Sequence, residues 1–142
     1  RRNSDTHAYI NYFADHDGFT MADMVSYEQK HNEENGEDNR DGCNTNYTWN
    51  CGTEGPSRKY SVRKLRLRLL RNAFLILLTS QGTPMIYGGD EFLNSQGGNN
   101  NAWCQDNEVG WVSLGGRPGK RQQAARDHVL RRVRKPQGRK SR

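Results

Sequence analysis

Three stretches of the chain concentrate apolar side chains, and long polar runs separate them. Tyr9 to Phe13, YINYF, is rich in aromatic and β-branched residues and too short for a helix, which predicts a buried strand running to about Ala14. From Ser61 the pattern turns helical: Val62, Leu65, Leu69, Ala73, Ile76 and Leu77 fall on one face, while Arg63, Lys64, Arg66, Arg68 and Arg71 fill the other side of the first half. The second half, AFLILL, is apolar all round and is expected to be buried. Ser61 suits the N-cap, Gly82 suits a left-handed C-cap, and Pro84 bars continuation. After that stop MIYGGDE predicts a second short strand.

The order strand, loop, helix, strand implies a parallel pair with a crossover helix, an α/β arrangement in which active sites gather at the carboxyl ends of the strands. Those ends are polar here: Asp15, His16 and Asp17 follow the first strand, and Asp90 and Glu91 the second. Gly18 is expected to let the backbone turn away and leave His16 and Asp17 at the rim of the sheet. Between Gly18 and Tyr60 the chain is mostly Asn, Glu, Asp, Gly and Thr, with one or two helical turns suggested by Met21, Met24 and Val25. A loop of that length inside a compact domain is uncommon and often functional.

Composition sharpens this picture. With 142 residues, of which 32% are apolar, the chain fits one ordinary domain and falls well short of a closed α/β barrel of about 250 residues. The net charge of +6 hides two opposed halves. Residues 115–142 hold 11 of the 22 Lys and Arg against the single Asp127, while residues 1–114 are net acidic. Cys43, Cys51 and Cys104 show neither a CxxC pair nor His at zinc-finger spacing, so reduced thiols are expected, with a Cys43–Cys51 bridge as the alternative. Glu37, Asn39, Asp41 and Gly42 imitate the start of an EF-hand loop, but its first position should be Asp and its twelfth is Thr48, so no EF-hand is expected. No apolar stretch reaches the ~18 residues of a membrane span and no hydrophobic region follows the first residues, which gives the expectation of a cytoplasmic chain, without membrane partner, metal or cofactor. Asn46-Tyr47-Thr48 matches a glycosylation sequon but has no secretory context.

A carboxylate at a strand end, such as Asp17, can stabilise developing positive charge or hold a substrate hydroxyl, and His16 can donate to a hydroxyl. NSQGGNNNAWCQDNEVGW mixes amides with Trp103 and Trp111, the composition of a sugar-binding surface in which aromatic faces meet pyranose rings and amides pair with hydroxyls. The basic tail offers a competing reading, a nucleic-acid-binding module, but it carries no aromatic residue to stack on a base.

In series, INYFADHDGFTMADMVSYEQKHNEENGEDNRDGCN, WNCGTEGP, SQGTPMIYGGDEF and QGGNNNAWCQDNEVGW resemble the isoamylase and glycogen-debranching branch of the α-amylase superfamily, in consecutive order over residues 8 to about 114. The resemblance implies a glycoside hydrolase acting on α-1,6 branch linkages of glycogen or limit dextrin. It also implies that residues 1–114 are the C-terminal part of a (β/α)8 TIM barrel, strands seven and eight with the connecting helix. Carried onto this sequence, Asp17 becomes the transition-state-stabilising aspartate and His16 its substrate-binding neighbour, with Trp103 as a sugar-contacting residue. A retaining glycosidase needs a nucleophilic carboxylate and a protonated acid besides such a third carboxylate. Nothing here matches the family's motifs for those two, so the chain on its own is expected to be a truncated barrel, inactive and marginally stable. Residues 115–142 match nothing in the family, a change of character that a shifted reading frame would produce.

Overall fold

The structure, a computed structural model, describes residues 9–112. The basic segment at 115–142 and the nucleic-acid reading attached to it lie outside the described residues. Two strands, β1 (Ile10–Asn11) and β2 (Thr83–Pro84), pair in parallel with Ile10 opposite Thr83 and Asn11 opposite Pro84. Between them run a four-residue helix α1 (Met21–Met24), a 3-10 turn at Glu33–Asn35 and a 20-residue helix α2 (Tyr60–Thr79). Further 3-10 turns follow at Asp90–Phe92 and Ala102–Cys104. The strand–helix–strand order is as the apolar pattern predicts.

The strands are shorter than predicted, and β2 starts earlier, at the residues thought to end the helix. The Thr83 N–H donates to the Tyr9 carbonyl and the Met85 N–H to the Asn11 carbonyl, both at 2.8 Å. Asn11 adds a side-chain bond from Nδ2 to the Gln81 carbonyl at 2.7 Å, which pins the helix exit to β1. Tyr9, Ile10, Tyr12 and Phe13 are exposed rather than buried, with Ile10 63% accessible. The reason is geometric: two strands with one crossover helix cover too little of each other's faces.

The core lies beside the sheet. Ala14, Met21 and Leu70 are buried together, and Met24, Val25, Ala73, Phe74, Tyr87 and Leu93 pack against them. Helix α2 therefore faces inward through Val62, Arg66, Leu70 and Leu77. That stripe is rotated from the predicted one: Ile76 is exposed and the charged Arg66 is inside. The all-round burial expected for AFLILL is also not seen, since Leu75, Ile76 and Leu78 face solvent. The helix begins one residue before Ser61, behind Lys59, and no side chain caps it.

Apart from α1 and the turn at Glu33–Asn35, residues 18–59 are loop by backbone but not loose, because amide side chains supply the order that regular structure would. Buried Asn32 donates through Nδ2 to the Asp41 carbonyl at 3.0 Å and to Asn100 Oδ1 at 2.9 Å, and its Oδ1 accepts the Asn100 N–H at 3.0 Å. Asn100 Nδ2 in turn donates to the Cys43 carbonyl at 2.9 Å and to Asn46 Oδ1 at 3.0 Å. Segment 32–46 is thereby locked to segment 99–101, more than fifty residues away. Gly42 makes the close approach possible. Its φ is +71°, and a Cβ there would stand 2.3 Å from Asn100 Oδ1 and 2.7 Å from Asn32 Nδ2.

Candidate functional site

β1 runs into Ala14, and the chain then turns over Asp15, His16 and Asp17. The turn is closed by a side chain: Asp15 Oδ1 accepts the Asp17 N–H at 2.9 Å. Gly18 lies at the bend that follows, without a left-handed φ. The consequence is the one the sequence predicts, with His16 and Asp17 presented at the carboxyl end of β1. Both are open to solvent, and His16 Nε2 lies 3.6 Å from Asp17 Oδ2. Among residues 9–112 nothing encloses the pair.

Trp103 joins them from 86 positions further along the chain. Its ring and that of His16 have centroids 5.1 Å apart at an interplanar angle of 89°, an edge-to-face contact. All three residues singled out by sequence, His16, Asp17 and Trp103, thus meet in one place. Trp111 does not share the site: its Nε1 donates to Asp106 Oδ1 at 3.1 Å. The amides expected to meet sugar hydroxyls are also differently used. Asn99 and Asn100 are buried, Asn99 Nδ2 donating to Asn35 Oδ1 at 2.7 Å, so their hydrogen-bonding capacity is spent inside the protein.

Two buried carboxylates, Asp90, read from sequence only as a strand-end residue, and Asp23, which the sequence did not single out, hold the site's two halves together. The Met21 N–H, four residues after Asp17, donates to Asp90 Oδ1 at 2.9 Å. Asp23 accepts from Ser95 Oγ at 2.5 Å, the Gln96 N–H at 2.8 Å and the Gly98 N–H at 3.4 Å, while its own N–H donates to the N-cap Thr20 Oγ1 at 3.2 Å. Burial pushes the Asp23 carboxyl up to about 6 against the pull of those bonds. Asp90 is also raised to about 6, first by burial and further by the nearby charges of Glu91 and Asp23, and its Oδ2 has no partner. The segment after Asp17 and the segment before Trp103 are therefore stitched to each other.

Arg66 was also missed. Its Nη1 donates to the Gly55 carbonyl at 2.8 Å, and its Nη2 to the Asn50 carbonyl at 2.9 Å and to the Thr53 carbonyl. One guanidinium thus ties together three carbonyls of a single turn. Glu54 in the same turn accepts the Glu28 N–H, the Gln29 N–H and Asn50 Nδ2, and lies 3.3 Å from His31 Nε2. Burial opposes its ionisation, but those bonds outweigh it and hold the carboxyl below its ordinary value. The signal was in WNCGTEGP, a run of turn residues with more carbonyls than regular structure could pair.

Cys43, Cys51 and Cys104 are all free. Among the described residues no three His, Cys, Asp or Glu side chains converge as a metal site, and no helix is long and apolar enough to cross a membrane.

No protein-family model matches the chain. Individual proteins do. It is 54% identical over 105 residues to a glycogen operon protein GlgX homolog of Mycobacterium tuberculosis, covering 74% of this chain and 15% of that protein. It is 55% identical over 102 residues to the chloroplastic isoamylase SU1 of Zea mays, covering 72% and 13%. To the glycogen debranching enzyme of Erwinia tasmaniensis it is 52% identical over 105 residues, covering 74% and 16%. The chain thus spans only a small part of the length of the curated relatives it matches. Identity above one half over nearly three quarters of its length means that this chain belongs to the isoamylase and glycogen-debranching family.

Proposed function

We propose that residues 9–112 form part of the α-glucan site of an α-1,6-debranching glycoside hydrolase, with glycogen or a limit dextrin as substrate. The observation that carries the reading is the convergence of His16, Asp17 and Trp103 at the carboxyl end of a parallel strand. An exposed indole gives a pyranose ring an apolar face, and a carboxylate beside it accepts from ring hydroxyls. As the ring flattens and gains positive charge, the bonds to Asp17 strengthen, so the residue binds the transition state better than the ground state. His16, held in place by Trp103, donates to a neighbouring hydroxyl.

The parallel pair with its crossover helix supports reading the segment as strands seven and eight of a (β/α)8 barrel. The other two carboxylates of a retaining mechanism match no segment of this chain. Bond cleavage would then need groups from outside residues 1–142, and the chain alone binds glucan without cleaving it. Three free thiols fit a reducing compartment, which supports the cytoplasm as the setting.

The test is a titration of the 142-residue chain with maltoheptaose, followed in a two-dimensional amide NMR spectrum. The resonances of His16, Asp17 and Trp103 should move together, and Asp17→Asn should weaken binding. A well-dispersed spectrum that maltoheptaose leaves unchanged would overturn the reading.

A further inference from the structure

The rim does not end at Trp103. On one side the indole touches His16, and it also forms a wall of a separate open recess of about 610 Å³, lined by Asn35, Glu37, Arg40, Asp41, Asn101 and Trp103 together with Cys104. That volume is within the ~300–1,000 Å³ range of small-molecule sites.

The polar wall of the recess is built rather than accidental. Asp41 Oδ2 accepts Asn35 Nδ2 at 2.7 Å and Asn101 Nδ2 at 2.8 Å, which fixes the carboxylate, while Oδ1 is shielded from solvent; Asp41 therefore braces the wall and does not offer an open acceptor. Those two amide bonds hold the Asp41 carboxyl below its ordinary value. Asn35 is fixed in turn by Gln105 Nε2 at 2.7 Å and Asn99 Nδ2 at 2.7 Å, both donating to its Oδ1. Arg40 supplies the donors: only its Nε is engaged at close range, with the Glu37 carbonyl at 3.1 Å, while Nη2 lies 3.6 Å from the exposed Asp38 carboxylate. A flat indole, the exposed Glu37 carboxylate and a guanidinium around one space are the groups a pyranose ring requires: an apolar face to stack on, an acceptor and donors for its hydroxyls.

We propose that this recess is a second glucosyl-binding position, in which the α-glucan that engages His16 and Asp17 continues across Trp103 to reach Arg40 and Glu37. The proposal rests on the glucan reading above and assigns to the acidic loop 33–42 a role in holding the substrate chain beyond the rim. Arg40 and Glu37 are specificity-determining residues in it, because a ligand too short to cross Trp103 cannot use both positions at once.

The same maltoheptaose titration, extended to Arg40→Ala, tests it. Expected is a single saturation curve in which the Glu37, Arg40 and Asn101 resonances move with those of His16 and Trp103, and a roughly fivefold weaker affinity in Arg40→Ala. Because the Arg40 side chain is exposed, the loop should stay folded, which unshifted Asn32 and Asn100 signals in the unliganded variant would verify. A Glu37→Ala variant gives a second, independent loss of affinity. Movement at His16 and Trp103 alone, with the affinity of both variants unchanged, would overturn the second position and leave the glucan site standing. No movement anywhere would overturn both.

Discussion

His16 and Trp103 meet edge to face with ring centroids 5.1 Å apart, although they lie 87 positions apart in the chain. The contact joins the turn that presents Asp17 to the aromatic wall on which a sugar would stack. Trp103→Ala should therefore act twice. Maltoheptaose affinity should fall about 2- to 10-fold, the range of an aromatic contact of about 0.5–1.5 kcal/mol. In the same variant the His16 ring protons should lose the ring-current shift of the indole even without ligand. Trp103→Phe should retain most of both. Unaltered His16 shifts in Trp103→Ala would show that the two rings do not pack in solution.

Stability should depend on pH in the direction opposite to that set by most carboxylates. Asp23 and Asp90 have folded-state values raised from 3.8 to about 6, so the folded state binds their protons more tightly than the unfolded state does. Their contribution is greatest below pH 4 and is lost as pH rises through about 6. Urea midpoints should accordingly fall between pH 4.5 and pH 7, by an amount on the order of a few kcal/mol in total. Asp23→Asn keeps acceptors for the Gln96 and Gly98 N–H groups and can donate to Ser95 Oγ, so it should flatten the slope without unfolding the chain. A midpoint that climbs from pH 4.5 to 7 would contradict this assignment.

Arg66→Lys should be costly despite conserving charge. An ammonium cannot reach the carbonyls of Asn50, Thr53 and Gly55 at once, and buried carbonyls left unpaired cost about 1–3 kcal/mol each. A loss on the order of 3 kcal/mol in chemical denaturation is expected, with Arg68→Lys, on the exposed side of α2, near zero.

Two glycines of the acidic loop separate backbone strain from steric conflict. Both Gly36 and Gly42 have positive φ, +81° and +71°, but a Cβ meets nothing at Gly36 and collides with the Asn32–Asn100 pair at Gly42. Gly36→Ala should cost about 1–2 kcal/mol, the left-handed penalty alone. Gly42→Ala should cost distinctly more and shift the Asn32 and Asn100 side-chain amide signals. Equal effects would mean that the close approach at Gly42 is not maintained.

Much of the arrangement was legible in the chain. The strand–helix–strand order followed from apolar periodicity, because a 20-residue amphipathic run and its Gly-Thr-Pro stop are local signals. His16, Asp17 and Trp103 were legible as chemistry, since a His-Asp pair after an apolar run and an indole in an amide-rich loop each suggest a use. The face of α2 was not, because Arg66 reads as solvent-exposed until the carbonyls it caps are placed beside it. Nor was the fate of the asparagines: composition made Asn99 and Asn100 sugar ligands, and only their pairing with Asn32 and Asn35 shows that they are structural.

What the sequence determined by itself were the properties that depend on neighbours a few positions apart: helix, turn, strand and the residue types at each strand's end. Whether a polar side chain is spent inside the protein or offered at its surface depends on partners fifty to ninety positions away. The long-range hydrogen bonds of Asn32, Asp23 and Asp90 decided that, and with it the meeting of His16, Asp17 and Trp103, because they fix where each loop crosses the others.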